Sequence, residues 1–310
     1  MGKKKLFFVF NPRAGKAKIR NKLCEIIDLF VKAGYEVTVY PTQREGDAIR
    51  AVRDKKEEYD LLVCSGGDGT LDEIVNGMIK CDRQIPIGYI PAGSTNDFAG
   101  SLGIPKDMAS AARVITEGRQ YACDIGTFNE ECFVYIAAFG LFTDVSYGTS
   151  QDIKNVLGHM AYILEGMKRL PSVRSCRLKV CYKDAEKKDK VTLEDEFIFG
   201  MVTNSVSVGG FKRITGKYVQ LDDGEFEVTL IRKPSNPLDI NMIIAALLNR
   251  NINTDYMYCF KTSRITFESE EAIPWTTDGE FGGSHKTVKI KNMKQAVKIM
   301  VPAKKPASEK

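Results

Sequence analysis

Histidine is scarce in this chain: His159 and His285 are the only two in 310 residues. That excludes a histidine-rich metal centre and leaves carboxylates as the groups for acid–base chemistry. The eight cysteines (Cys24, Cys64, Cys81, Cys123, Cys132, Cys176, Cys181 and Cys259) include no C-x-x-C pair. A zinc site or a disulfide framework is therefore not expected, and reduced thiols in a cytosolic protein fit better. No apolar run is long enough for a bilayer. The longest, from Cys132 to Phe142, falls well short of the roughly 20 residues needed. The apolar run Leu6-Phe7-Phe8-Val9-Phe10 is cut off by Asn11-Pro12-Arg13, which suits a first buried strand better than a signal peptide. Neither a Walker A sequence nor a G-x-G-x-x-G turn occurs. Excess charge is lacking too: 45 Lys and Arg against 40 Asp and Glu leave +5, which points to no nucleic-acid partner.

What is present is ordinary globular composition, 43% hydrophobic and 27% charged, over a length that suits one large or two moderate domains. Strand and helix patterns alternate through the first third. Strands are expected at 5–10, 35–40, 59–64 and 85–90, with helical patterns around 19–30, 47–58 and 70–79. This rhythm predicts a doubly wound parallel sheet. Near Asp124 it changes. Short strand patterns follow at 132–138, 177–182, 197–204, 225–231, 258–267 and 287–290, with helical patterns at 153–170 and 238–249. They predict a C-terminal antiparallel β-sandwich. The expected fold is thus α/β plus β. Residues 1–124, joined by about 294–303, form the first domain, 125–293 the second, and 304–310 a tail.

Ligands of open parallel sheets bind outside the carboxyl ends of the strands. Three unusual loops fall there. Ser65-Gly66-Gly67-Asp68-Gly69-Thr70 closes an apolar strand and opens a helix, which lets the backbone approach an anion and aims free N–H groups at it. Asn11-Pro12-Arg13-Ala14-Gly15-Lys16 follows the first strand, with Arg13 or Lys16 as a phosphate partner. Pro91-Ala92-Gly93-Ser94-Thr95-Asn96-Asp97-Phe98-Ala99 follows the fourth and supplies hydroxyls, an amide and a carboxylate. Each alone also reads as a tight turn or a helix cap.

Gly66-Gly67-Asp68-Gly69-Thr70 together with Gly93-Ser94-Thr95-Asn96-Asp97-Phe98-Ala99 resembles the diacylglycerol kinase catalytic-domain family, the soluble bacterial type most closely. Asn11-Pro12-Arg13-Ala14-Gly15 is similar to that family's first loop. The glycine motif is shared with NAD kinases; the Thr95-Asn96-Asp97-Phe98-Ala99 ending separates the lipid kinases. The resemblance implies a two-domain kinase with ATP in the cleft between domains. Asn11, Pro12, Arg13, Ala14, Gly15, Thr42, Gly66, Gly67, Asp68, Gly69, Thr70 and Thr95 are implied to line the nucleotide site. Asp68 and Asp97 are implied to join an aspartate–water–Mg²⁺ network. Ser94 stands where threonine or serine is usual.

Two acidic turns belong to the second domain, and by themselves both Asp-Gly pairs read as hairpin turns. In Leu221-Asp222-Asp223-Gly224-Glu225-Phe226 the resemblance implies a structural Mg²⁺, held by the Asp223 carboxylate and the carbonyls of Gln220 and Glu225. In Thr276-Thr277-Asp278-Gly279-Glu280 it implies that Glu280 is the general base and that Asp278 orients the turn. The implied activity is ATP-dependent phosphorylation of diacylglycerol to phosphatidic acid. Undecaprenol, a sphingoid base or phosphatidylglycerol are alternative lipid alcohols, and NAD kinase and a non-catalytic lipid-binding protein are competing readings. The apolar helical face at 153–170 and the five basic residues between Lys168 and Lys179 suggest peripheral contact with the inner face of the membrane. An open sheet edge allows a homodimer.

Overall fold

A computed structural model describes residues 2–15, 17–55, 58–80, 84–94, 96–140, 175–208, 211–212, 219–236, 239, 242–243 and 256–303. The expected helix at 153–170, most of that at 238–249, the basic stretch up to 174, Lys16, Thr95 and the tail at 304–310 lie outside them. The chain divides into two compact units, Met1–Ile125 with Gln295–Lys310, and Gly126–Lys294.

In the first unit the elements are β1 (Lys4–Phe10), α1 (Ile19–Lys32), β2 (Tyr35–Pro41), α2 (Asp47–Lys55), β3 (Leu61–Gly66), α3 (Asp68–Ile79), β4 (Ile87–Pro91), α4 (Asp97–Ser101), α5 (Met108–Glu117) and the start of β5 (Arg119–Phe128). Strands β2, β1, β3 and β4 pair in that order, all parallel. Leu6–Phe10 and every residue of β3 and β4 are buried, whereas β2 is mostly half-buried. Strands covered on both faces must be apolar throughout, which is why the inner three read as continuous hydrophobic runs. Helix α1 packs against α5, and α2 against α3. Glu73 of α3 accepts the N–H groups of Gly46 and Ala48, both at 3.0 Å, at the start of α2. A carboxylate there satisfies otherwise unpaired amides and suits the helix dipole.

The second unit holds β6 (Glu131–Phe133), β7 (Ile136–Gly140), β8 (Cys176–Lys183), β9 (Lys190–Thr203), β10 (Ser207–Val208), β11 (Phe211–Lys212), β12 (Phe226–Arg232), β13 (Met257–Thr262), β14 (Arg264–Thr277) and most of β15 (Glu280–Val301). Its pairings are antiparallel. Trp275, 1% exposed, centres its core, with the rings of Phe139, Phe267 and Phe128 at 4.8, 5.1 and 5.4 Å. Such aromatic clusters combine a large buried area with favourable edge-to-face geometry.

The architecture is a strand-rich mixture of helix and strand. Some elements differ from the sequence expectation. The run at 258–267 divides at Ser263 into β13 and β14, and that at 132–138 divides between β6 and β7. The strand expected at 287–290 is part of one long strand, β15, that runs on to Val301. Its residue Gln295 adopts φ 53° and donates its N–H to the buried Asp124 carboxylate at 2.7 Å. Helix α5 was not expected; Asp107 caps it by accepting the Ser110 N–H at 2.8 Å. The last residues of β15 return to the first unit, where Ile299 pairs parallel with Ile87 of β4.

Candidate active site

Three loops leave the carboxyl ends of β1, β3 and β4, and backbone hydrogen bonds tie them together. The Asn11 N–H donates to the Ser65 carbonyl at 2.9 Å, and the Ala92 N–H to the Gly66 carbonyl at 2.8 Å. Glycine is required where they touch. A Cβ on Gly15, which has φ 55°, would lie 2.3 Å from the Ala92 carbonyl oxygen. A Cβ on Gly93 would lie 2.7 Å from the Gly67 Cα. Side chains are absent here so that backbones can meet.

The first loop is a compact turn. Asn11 Oδ1 accepts the Arg13 N–H at 2.9 Å, and the Asn11 carbonyl accepts that of Ala14 at 3.2 Å. Pro12 precedes Arg13, whose side chain is exposed. Thr42 follows β2 and donates its N–H to the Phe10 carbonyl at 2.9 Å. Gly67 is the N-cap of α3, so Asp68, Gly69 and Thr70 form the helix's first turn. The N–H groups of a first helical turn have no intrahelical acceptor. Asp97, 3% exposed, opens α4. Thr95 lies outside the described residues. Thr95 aside, the structure thus gathers the expected residues of the first unit at one edge of its sheet.

Asn96, read from the sequence as an amide of the third loop or a helix cap, and Tyr89, given no role there, complete this edge. Asn96 is left-handed (φ 53°), and its side chain brackets Gly93, accepting that residue's N–H at 3.0 Å and donating to its carbonyl at 2.8 Å. It does not cap α4 through its side chain. The fully buried Tyr89 of β4 places its hydroxyl 3.3 Å from both the Gly66 carbonyl and Asn96 Oδ1. Burial, and then the negative charge of Asp68, hold this phenol's pKa well above its usual value. The available signal was a phenol inside the apolar run Ile87-Gly88-Tyr89-Ile90, because a buried hydroxyl needs a partner.

In the second unit, Asp278 and Gly279 form the two-residue turn between β14 and β15, with φ 50° and 88°. Asp-Gly suits such a hairpin because both positions need positive φ. The buried Asp278 carboxylate accepts three backbone N–H groups: Val134 at 2.6 Å, Tyr135 at 2.9 Å and Ile136 at 3.0 Å. These bonds explain why the strand divides between β6 and β7. They also fix the turn that presents Glu280, which is exposed at the start of β15.

At the other acidic turn, Gln220 is exposed and Gly224 has φ 90°. Asp223 Oδ1 accepts the Glu225 N–H at 3.0 Å, and Oδ2 lies 3.0 Å from the Lys261 ammonium. Lys261 also pairs with Glu227 Oε1 at 3.1 Å. Burial raises the Glu227 carboxyl to about 7, with Lys261 partly offsetting it. Both Asp223 oxygens are therefore engaged, and a Mg²⁺ there would share Oδ2 with an ammonium group. Among the described residues, no three acidic, histidine or cysteine side chains cluster as a metal cage.

The sequence signature of the diacylglycerol kinase catalytic domain matches residues 5–128. A Bacillus subtilis (strain 168) protein named diacylglycerol kinase is 34% identical over 282 residues, covering 90% of this chain and 91% of that one. The Staphylococcus carnosus (strain TM300) protein of the same name is 34% identical over 302 residues, covering 97% and 96%. A crystal structure of a diacylglycerol kinase from Bacillus anthracis str. Sterne superimposes with a TM-score of 0.80 at 24% identity, covering 97% of this chain and 98% of that one. At that identity the likeness speaks for the fold alone.

Proposed function

The chain belongs to the diacylglycerol kinase family, and from that premise we propose that it transfers the γ-phosphoryl group of ATP to the hydroxyl of diacylglycerol, giving phosphatidic acid. The observation that carries this reading is the convergence of Gly15, Gly67 and Gly93 at one sheet edge, with Asp68 in the first turn of α3. Backbone amides packed that closely suit a phosphate chain.

In this reading the first unit is a doubly wound nucleotide-binding domain and the second a β-sandwich domain for the lipid. Asn11, Pro12, Arg13, Ala14, Gly15, Thr42, Thr95 and the segment from Gly66 to Thr70 bind the nucleotide. Asp68 and Asp97 are the residues that would hold Mg²⁺, which when bound neutralises charge on the phosphoryl oxygens. The Asp223 turn, with Gln220 and Glu225, is at most a structural cation site, and no step depends on it. Glu280 accepts the proton of the lipid hydroxyl as its oxygen attacks the γ-phosphorus. The bond from that phosphorus to the bridging oxygen breaks, and ADP leaves with the electron pair. A positioned carboxylate is needed because an alcohol is a weak nucleophile. Asp278 holds the turn that carries Glu280. No helix among the described residues is long and apolar enough to cross a membrane; we place the enzyme at the inner membrane face because its substrate is there.

The test is a lipid panel. The full chain, Mg²⁺ and γ-labelled ATP are incubated with diacylglycerol, undecaprenol, a sphingoid base or phosphatidylglycerol in mixed micelles, and separately with NAD. Labelled phosphatidic acid is the expected product. Label in another lipid would reassign the acceptor, and labelled NADP with no labelled lipid would reject the lipid-kinase reading.

A further inference from the structure

Tyr89 does more than fill the core. It is fully buried in β4, and a phenylalanine would occupy the same volume without a hydroxyl that needs satisfying. That hydroxyl lies 3.3 Å from two acceptors on different loops, the Gly66 carbonyl after β3 and Asn96 Oδ1 after β4. Its single proton is shared between them. Asn96 passes the restraint on, because its Oδ1 and Nδ2 bond the N–H and carbonyl of Gly93. Gly93 in turn packs on Gly67, where even a methyl group would clash at 2.7 Å. Gly66, Tyr89, Asn96, Gly93 and Gly67 therefore close a ring of contacts around the mouth of the loops. Asn96 supports this ring in a left-handed conformation that non-glycine residues seldom adopt.

We propose that Tyr89 is a positioning residue for the phosphate site, its hydroxyl locking the loops after β3 and β4 into one rigid cradle through Gly66 and Asn96. The proposal rests on reading these loops as the nucleotide site. Loops held in the binding geometry before the ligand arrives lose less entropy on binding, so the effect belongs to nucleotide affinity rather than to the chemical step.

The test compares full-length Tyr89→Phe with Phe30→Leu, a core change in α1 beside Phe8 that lies outside the ring. ADP binding is measured by calorimetry, and steady-state rates with Mg²⁺, ATP and diacylglycerol in mixed micelles. For Tyr89→Phe the ADP Kd and the KM for ATP should rise roughly 3- to 10-fold, the worth of one neutral hydrogen bond. Its kcat and the KM for lipid should stay within about twofold. Phe30→Leu should lower the melting temperature yet leave the KM for ATP unchanged. An unchanged KM for ATP in Tyr89→Phe, or an equal rise in both variants, would overturn the proposal while leaving the nucleotide site intact. Failure of the unaltered protein to bind ADP would instead reject the nucleotide reading, and the proposal with it.

Discussion

The pair Asp-Gly occurs at both candidate ends of the reaction, and the two copies behave differently. At Asp68-Gly69 the aspartate opens a helix, and the backbone just before it bonds the loop after β4 through the Gly66 carbonyl. At Asp278-Gly279 the aspartate turns back on its own unit and takes up three amides from the β6–β7 connection. The first arrangement sits at a helix start, whose N–H groups have no intrahelical acceptor, whereas the second spends backbone N–H groups on rigidity. A third copy, Asp223-Gly224, is balanced by the Lys261 ammonium. The same dipeptide thus serves as a helix start, a clamp or half of an ion pair, according to the strand and helix on either side of it.

The contrast predicts that damage in the two units separates chemistry from binding. The largest effect is expected from Glu280→Gln. It should lower kcat by about 10³-fold, within the range of a lost general base, while ADP binding measured by calorimetry stays unchanged. Near-normal kcat would remove Glu280 as the base and leave the second unit without a chemical role. Gly93→Ala should do the reverse. The added methyl has no room against Gly67, so the loops must separate, and the ADP Kd should weaken about tenfold or more. Unaltered affinity would mean that the loops close nothing but the fold.

The smallest effect concerns the third Asp-Gly turn. Glu227 has a folded pKa of about 7 against an ordinary 4.5, with burial as the main cause. A raised carboxyl pKa contributes stability that is fully present below about 4.5 and is lost as pH rises through 7. Glu227→Gln cannot ionise. Its melting temperature relative to the unaltered protein should therefore rise between pH 5 and pH 8, by about 5 °C. Equal pH dependence of the two proteins would show that Lys261 compensates the charge completely.

Much of the site was legible because its demands are local. Glycines bracketing Asp68 after an apolar strand mark a backbone that must approach something, and the alternation of strand and helix places three such loops at one edge. The Asp278 turn was legible for the same reason, since Asp-Gly states its own φ requirement. Tyr89 was not, because its partner Gly66 lies 23 residues away in the chain and becomes a neighbour only when β3 and β4 pair in the parallel sheet. The division of the strand at Val134 and Tyr135 was hidden likewise: its cause, the Asp278 carboxylate, sits more than 140 residues further on.

Sequence alone determined the parallel strands of the first unit, the antiparallel strands of the second and the three loops, because hydrophobic periodicity and glycine placement act over short spans; the acids proposed for the chemistry came from motif resemblance. Tertiary structure decided the surroundings of each acid. Asp278 is committed to backbone amides, Asp223 faces an ammonium group, and Glu280 is left exposed at a strand start. A carboxylate's role depends on which donors reach it and how dry its surroundings are, and both are set by contacts across the chain.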